Sequence, residues 1–125
     1  MSNPKIIITI AAILLALAVA AGAFGAHALK NVLSAERLET WQTAVQYHAW
    51  HALGLMLIAL IGVQFDLAIT WPASLILAGI VIFSGSLYVL CLTSIGWLGA
   101  ITPIGGVAFI LGWIVFSIKI LKINN

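Results

Sequence analysis

The chain has 125 residues, 64% of them hydrophobic and 6% charged, with a mean hydropathy of +1.24. Soluble domains sit near half apolar, so this composition excludes a water-soluble globule. The net charge of +2 comes without any basic patch, which excludes nucleic acid as a partner.

The few charges mark the organisation of the chain. Lys5 and Lys30 bound roughly 24 uncharged residues, and Glu39 and Asp66 roughly 26. Each run is long enough for a helix across a ~30 Å hydrocarbon core, which takes ~20 residues. Asp66 and Lys119 bound about 52 more, or about 78 Å as one helix. No bilayer is that thick, so this run turns back, with Gly96, Gly99 and Thr102-Pro103 as the turn signals. Without water in the hydrocarbon, each span must satisfy its own backbone as a helix. The sequence therefore predicts an all-α, polytopic membrane protein of one domain. It is a four-helix transmembrane bundle with spans at about 6–28, 42–63, 72–93 and 103–121.

Helix 1 carries small residues at helical spacing, Ala12, Ala16 and Ala20 on one line and Ala18, Gly22 and Ala26 on another. Such rows let backbones approach closely where lipid gives no hydrophobic drive. MSNPK, the apolar run and AAGAFGAHA together look like a secretory signal. The run exceeds ~20 residues, however, whereas signal cores have about 7–15, so a retained span is expected.

The connector KNVLSAERLET is polar and amphipathic. Ser34 is the expected N-cap, with Glu36 favourable in the first turn. A helix from Ser34 to about Val63 measures about 45 Å. Its first two turns, a short amphipathic extension before helix 2, should stand among headgroups, and Trp41, Tyr47 and Trp50 suit an interfacial aromatic belt. Helix 3 opens around Pro72, tolerable in a first turn. Helix 4 opens with Thr102 as N-cap and Pro103 behind it, and Gly105, Ala108 and Gly112 form a close-packing face.

Four spans put both termini at one end, with Lys5, Lys119 and Lys122. The other end has Lys30 and Arg37. This bias predicts cytoplasmic termini. The half of the bundle away from the termini collects His27, Gln42, Thr43, Gln46, Tyr47, His48, His51, Ser84, Tyr88, Cys91, Thr93, Ser94 and Thr102. An unpartnered polar group in hydrocarbon costs several kcal/mol, so these groups should meet each other, water or headgroups. At 100° per residue, Thr43, Tyr47, Trp50 and Gly54 form an inner stripe of helix 2 with Gln46 and His51 on its flanks. His51 is expected to be buried, facing helix 1 or 3, with His27, Tyr88 or a backbone carbonyl as partner. His48 is expected to point outward toward the interface.

Three readings of H-x-x-H compete: a metal or haem site, a polar contact between helices, and an interfacial belt. A metal needs three or four converging ligands, and no carboxylate lies within the spans, so no metal or cofactor is expected. A pH-responsive histidine stays open. Ser84, Ser86 and Ser94 lack an acidic partner for a triad, and FSGSLY is not G-x-S-x-G. Lone Cys91 forms no intrachain disulfide.

At GAFGAHAL (22–29), WQTAVQYHAWHAL (41–53), FSGSLY (83–88) and TPIGGVAFILGW (102–113) the chain resembles domain of unknown function 423, the YgdD/YwdK-like group of small bacterial inner-membrane proteins. By that resemblance His27, Gln46, Tyr47, His51, Ser84, Gly85, Tyr88, Thr102, Pro103, Gly105 and Gly106 match the family pattern, while His48 does not clearly belong to it. The resemblance implies a multi-pass four-helix fold in the bacterial inner membrane and brings no biochemical activity. The functional expectation thus rests on the residues. It is a non-enzymatic protein whose polar outer-leaflet cluster (His27, Gln46, Tyr47, His51, Ser84, Tyr88, Thr102) binds a lipid headgroup or a partner membrane protein. The alternative is a small-solute channel or transporter assembled as a homo-oligomer, with a histidine metal or haem site third.

Overall fold

A computed structural model describes residues 3–124. Helix 1 runs Pro4–Leu29, helix 2 Ala35–Gln64 and helix 3 Thr70–Thr93. Helix 4, Thr102–Leu121, follows a 3-10 turn at Gly96–Ala100. All four are long and apolar enough to cross a membrane, so the all-α bundle expected from the charge spacing is the architecture observed.

The helix starts follow local chemistry. Asn3 and Ser34 lie in extended backbone, and their side chains accept from the N–H groups of Lys5 (3.0 Å) and Arg37 (3.1 Å). Each satisfies a donor that has no intrahelical acceptor. Helix 4 departs from expectation. Thr102 is already helical, Ile101 is the cap residue, and no side chain caps this end. The Thr102 hydroxyl is turned inward to Ser86 instead, at 2.6 Å. Pro103 remains harmless because a first-turn N–H has no intrahelical partner to lose.

Helices 2 and 3 form the centre. In their most apolar windows 44% and 39% of residues are buried, against 17% in helices 1 and 4, which therefore flank the pair and give most of their surface to lipid. The core joins Ile7 and Ala11 of helix 1 to Ala52, Leu55 and Ile58 of helix 2, Ala73 and Ile76 of helix 3 and Phe109 of helix 4. Small residues set the spacing. A Cβ on Gly105 would collide with the Phe83 backbone, and one on Gly54 would stand 2.5 Å from the Trp113 indole. In helix 1 the row Ala18, Gly22, Ala26 faces helix 2, with Ala18 buried and Gly22 under Val45. The row Ala12, Ala16, Ala20 is exposed, because an edge helix buries one face only.

Two wide π-turns interrupt the helices, at Ala20–Gly25 in helix 1 and Ile80–Ser84 in helix 3. Such turns insert one residue and re-aim the backbone, and they recur at functional sites. Ser84 of the second turn reaches the helix 2 backbone, and Trp41 of helix 2 reaches the backbone of the first.

Candidate functional site

The inner stripe of helix 2 is rotated from the one expected. It runs Trp41, Ala44, His48, His51, Leu55, Ile58, all buried, while Trp50 is 54% exposed. Helix 2 is flanked on both sides, and Ala44 and Ala52 let its neighbours come close, so the buried arc is wide. His48 falls inside it. Only 5% of His48 is exposed, and its Nδ1 lies 2.8 Å from the Tyr88 hydroxyl of helix 3, which corrects the outward orientation expected for it. Its Nε2 is buried with no hydrogen-bond partner.

His51 is buried, and its Nδ1 is 2.8 Å from the Tyr47 carbonyl of its own helix. A carbonyl only accepts, so Nδ1 carries the proton and Nε2 the lone pair. The ring does not face helix 1 or 3. It stacks on Phe109 of helix 4, centroids 3.6 Å apart and planes 18° apart, with Tyr47 alongside. Tyr47 in turn packs on Phe83 at 4.5 Å. This aromatic block replaces the partners His27 and Tyr88 considered for His51.

The remaining polar groups stitch helix to helix. Ser84 is almost fully buried and donates to the Ala44 carbonyl at 2.7 Å. Arg37 Nη1 donates to the Leu90 carbonyl at 2.6 Å, and the Cys91 thiol donates back to the Arg37 carbonyl at 3.3 Å. This guanidinium sits at the C-terminal end of helix 3, where the helix dipole favours a cation. Ser86 and Thr102 join helices 3 and 4. Trp41 Nε1 donates to Ala21 at 2.9 Å, inside the π-turn of helix 1.

The predicted cluster therefore divides. Tyr47, His51, Ser84, Tyr88 and Thr102 belong to internal contacts, whereas His27 and Gln46 are exposed. Gln46 lines an open groove of about 320 Å³ between helices 1 and 2. Gly22 and Ala26 form its helix 1 wall, and Trp41, Gln42, Gln46 and Trp50 lie along helix 2. Trp41 and the π-turn were missing from the predicted site, and Gln42, although expected in the polar half, was not among its residues. The signal for Trp41 was Gly25, a glycine opposite a large indole: a Cβ there would stand 3.0 Å from Trp41. Among the described residues no three of His, Cys, Asp and Glu converge as metal ligands would.

Residues 21–106 match the family described as a protein of unknown function, DUF423. A UPF0382 membrane protein of Staphylococcus saprophyticus is 48% identical over 119 residues, covering 95% of this chain and 99% of its own. The UPF0382 membrane protein YwdK of Bacillus subtilis is 48% identical over 120 residues, covering 94% and 98%. One from Staphylococcus haemolyticus is 44% identical over 118 residues, covering 94% and 97%. No solved structure matches the chain.

Proposed function

We propose, for a chain that belongs to the DUF423 family of membrane proteins, a non-enzymatic role in which the groove between helices 1 and 2 holds a phospholipid by its glycerol and headgroup region. The observation that supports this most is the pair Gln42 and Gln46, exposed one turn apart along the groove. They lie about 12 and 18 Å along helix 2 from Ser34. Helix 2 exceeds the ~30 Å hydrocarbon core by about 15 Å, so the first amide stands at the interface and the second just below it. The lower amide is removed from bulk water. Lipid ester carbonyls accept from its N–H₂ group, and the phosphate is within reach of the upper one. Trp41 and Trp50 supply amphipathic rings suited to the same depth, and Gly22 and Ala26 leave the opposite wall low.

In this reading the protein is a multi-pass component of the bacterial cell membrane with both termini cytoplasmic. The charge asymmetry supports that orientation: Lys5, Lys119 and Lys122 lie at the end with the termini, against Lys30 and Arg37 at the groove end.

The test is lipid retention. Purified in mild detergent and sprayed intact into a mass spectrometer, the wild type keeps phospholipid at collision energies that strip a Gln42→Leu/Gln46→Leu variant. Equal loss from both proteins refutes the reading. A second copy of the chain held in the groove would appear in the same spectra as a dimer lost in the variant, and that outcome also refutes it.

A further inference from the structure

The opposite end of the bundle holds a second cavity, of about 430 Å³, in which charges of both signs face one space. Asp66 and Leu67 enter from the link between helices 2 and 3, and Lys119 and Lys122 from the end of helix 4. The volume lies within the ~300–1,000 Å³ typical of ligand clefts. Lys119 and Lys122 are three apart and project to one side of their helix. Asp66 adopts a left-handed backbone, φ 49°, at the end of helix 2. No ion pair within 4.0 Å joins its carboxylate to either lysine among the described residues. Two ammonium groups and one carboxylate therefore line the cavity without neutralising one another.

We propose that this cavity binds the headgroup of an aminophospholipid, with the phosphodiester between Lys119 and Lys122 and the primary ammonium on Asp66. Its place at the helix ends is the headgroup plane, and half-exposed Phe65 beside it offers an apolar surface to the glycerol and upper acyl chain. Lysines alone would serve any anionic lipid as point charges. Asp66 sets the preference. It repels additional negative charge and forms a charge-assisted hydrogen bond with the ammonium N–H, adding an attraction between opposite charges that a neutral hydroxyl lacks. A choline headgroup has no N–H to offer, and a glycerol headgroup has no cation. The site is separate from the groove between helices 1 and 2, and either can fail without the other.

The experiment uses the full chain, delipidated in detergent, with phosphatidylethanolamine, phosphatidylcholine or phosphatidylglycerol added singly and the bound fraction read by native mass spectrometry. The wild type retains phosphatidylethanolamine at least threefold over the other two. Asp66→Asn, which tolerates the same left-handed backbone, abolishes that preference, and Lys122→Gln weakens phosphatidylethanolamine retention. The same preference persists in Gln42→Leu/Gln46→Leu, which removes the lipid held in the other groove and lowers retention of all three lipids alike. Equal retention of the ethanolamine and choline lipids, preference for the glycerol lipid, or an unaltered preference in Asp66→Asn each overturns the proposal.

Discussion

Tyr88 of helix 3 and His48 of helix 2 meet at 2.8 Å inside the bundle, with the tyrosine ring also 4.7 Å from Trp41. With Tyr88 donating, Nδ1 is the acceptor and Nε2 carries the proton of the neutral ring. Tyr88→Phe removes the donor and leaves both ring nitrogens without a hydrogen-bond partner. Polar contacts between membrane helices couple by about 0.6 kcal/mol on average and up to about 1.7. A cycle of Tyr88→Phe, His48→Leu and the double variant, followed by thermal unfolding in one detergent, should return a coupling toward the upper end of that range. Strict additivity would mean that the pair is merely adjacent.

The same geometry changes the expected ranking of the two histidines. His48→Leu should cost at least as much stability as His51→Leu, since His51 bonds its own helix and leucine keeps part of its apolar contact with Phe109. Melting temperatures of the two single variants decide the order. A clearly larger loss for His51→Leu would restore the ranking drawn from helix periodicity alone.

That ranking shows where the sequence was informative. Charge spacing locates the four spans because a charge in hydrocarbon is costly, and the Ser34 cap was legible because its neighbours are polar. The rotation of helix 2 was not. On a helix whose lipid-facing residues Leu53, Leu57 and Leu60 are as apolar as core residues Leu55 and Ile58, no hydrophobic period separates inside from outside. The polar residues then carry the only signal, and their inner and outer members, Tyr47 and Gln46, are adjacent. The π-turns escaped for a related reason: AAGAFG and IVIFS have no composition that distinguishes a wide turn from a regular one.

Close packing of helix 4 on helix 3 rests on Gly105. A methyl group there meets Phe83 backbone, which cannot swing away as a side chain would. Gly105→Ala should lose about 1–3 kcal/mol or more, the usual cost of overpacking. Gly85→Ala is the control, since its added Cβ meets nothing within 4 Å. It should be neutral or stabilising by up to about 1 kcal/mol through helix propensity. Equal melting temperatures for the two variants would remove Gly105 from the account.

Arg37 and Cys91 hold each other across helices 2 and 3. Cys91 is 3% exposed, so a thiol reagent should label it slowly in the folded protein. Arg37→Met removes the charge-assisted bond to Leu90, at a cost on the order of 1.5–3 kcal/mol, and should open this end enough to accelerate labelling several-fold. Unchanged labelling kinetics would place the strength of this corner elsewhere.

Trp41→Phe keeps an aromatic ring but deletes the N–H that reaches Ala21. Hydrogen exchange in the π-turn Ala20–Gly25 should rise in this variant while exchange in helix 4 stays as it was. A uniform rise along the chain would indicate general destabilisation rather than release of the helix 1 turn.

The groove between helices 1 and 2 is tested most directly by mapping where lipid lies. A phospholipid bearing a photoactivatable diazirine near its glycerol end is incorporated with the protein into nanodiscs, irradiated, and the cross-linked peptides are sequenced. Adducts should concentrate on Trp41, Gln42, Gln46 and Trp50 and on the facing Gly22–Ala26 stretch, and should fall several-fold in Gln42→Leu/Gln46→Leu. Adducts spread evenly over the exposed faces of helices 1 and 4, unaffected by the variant, would contradict a lipid-binding groove.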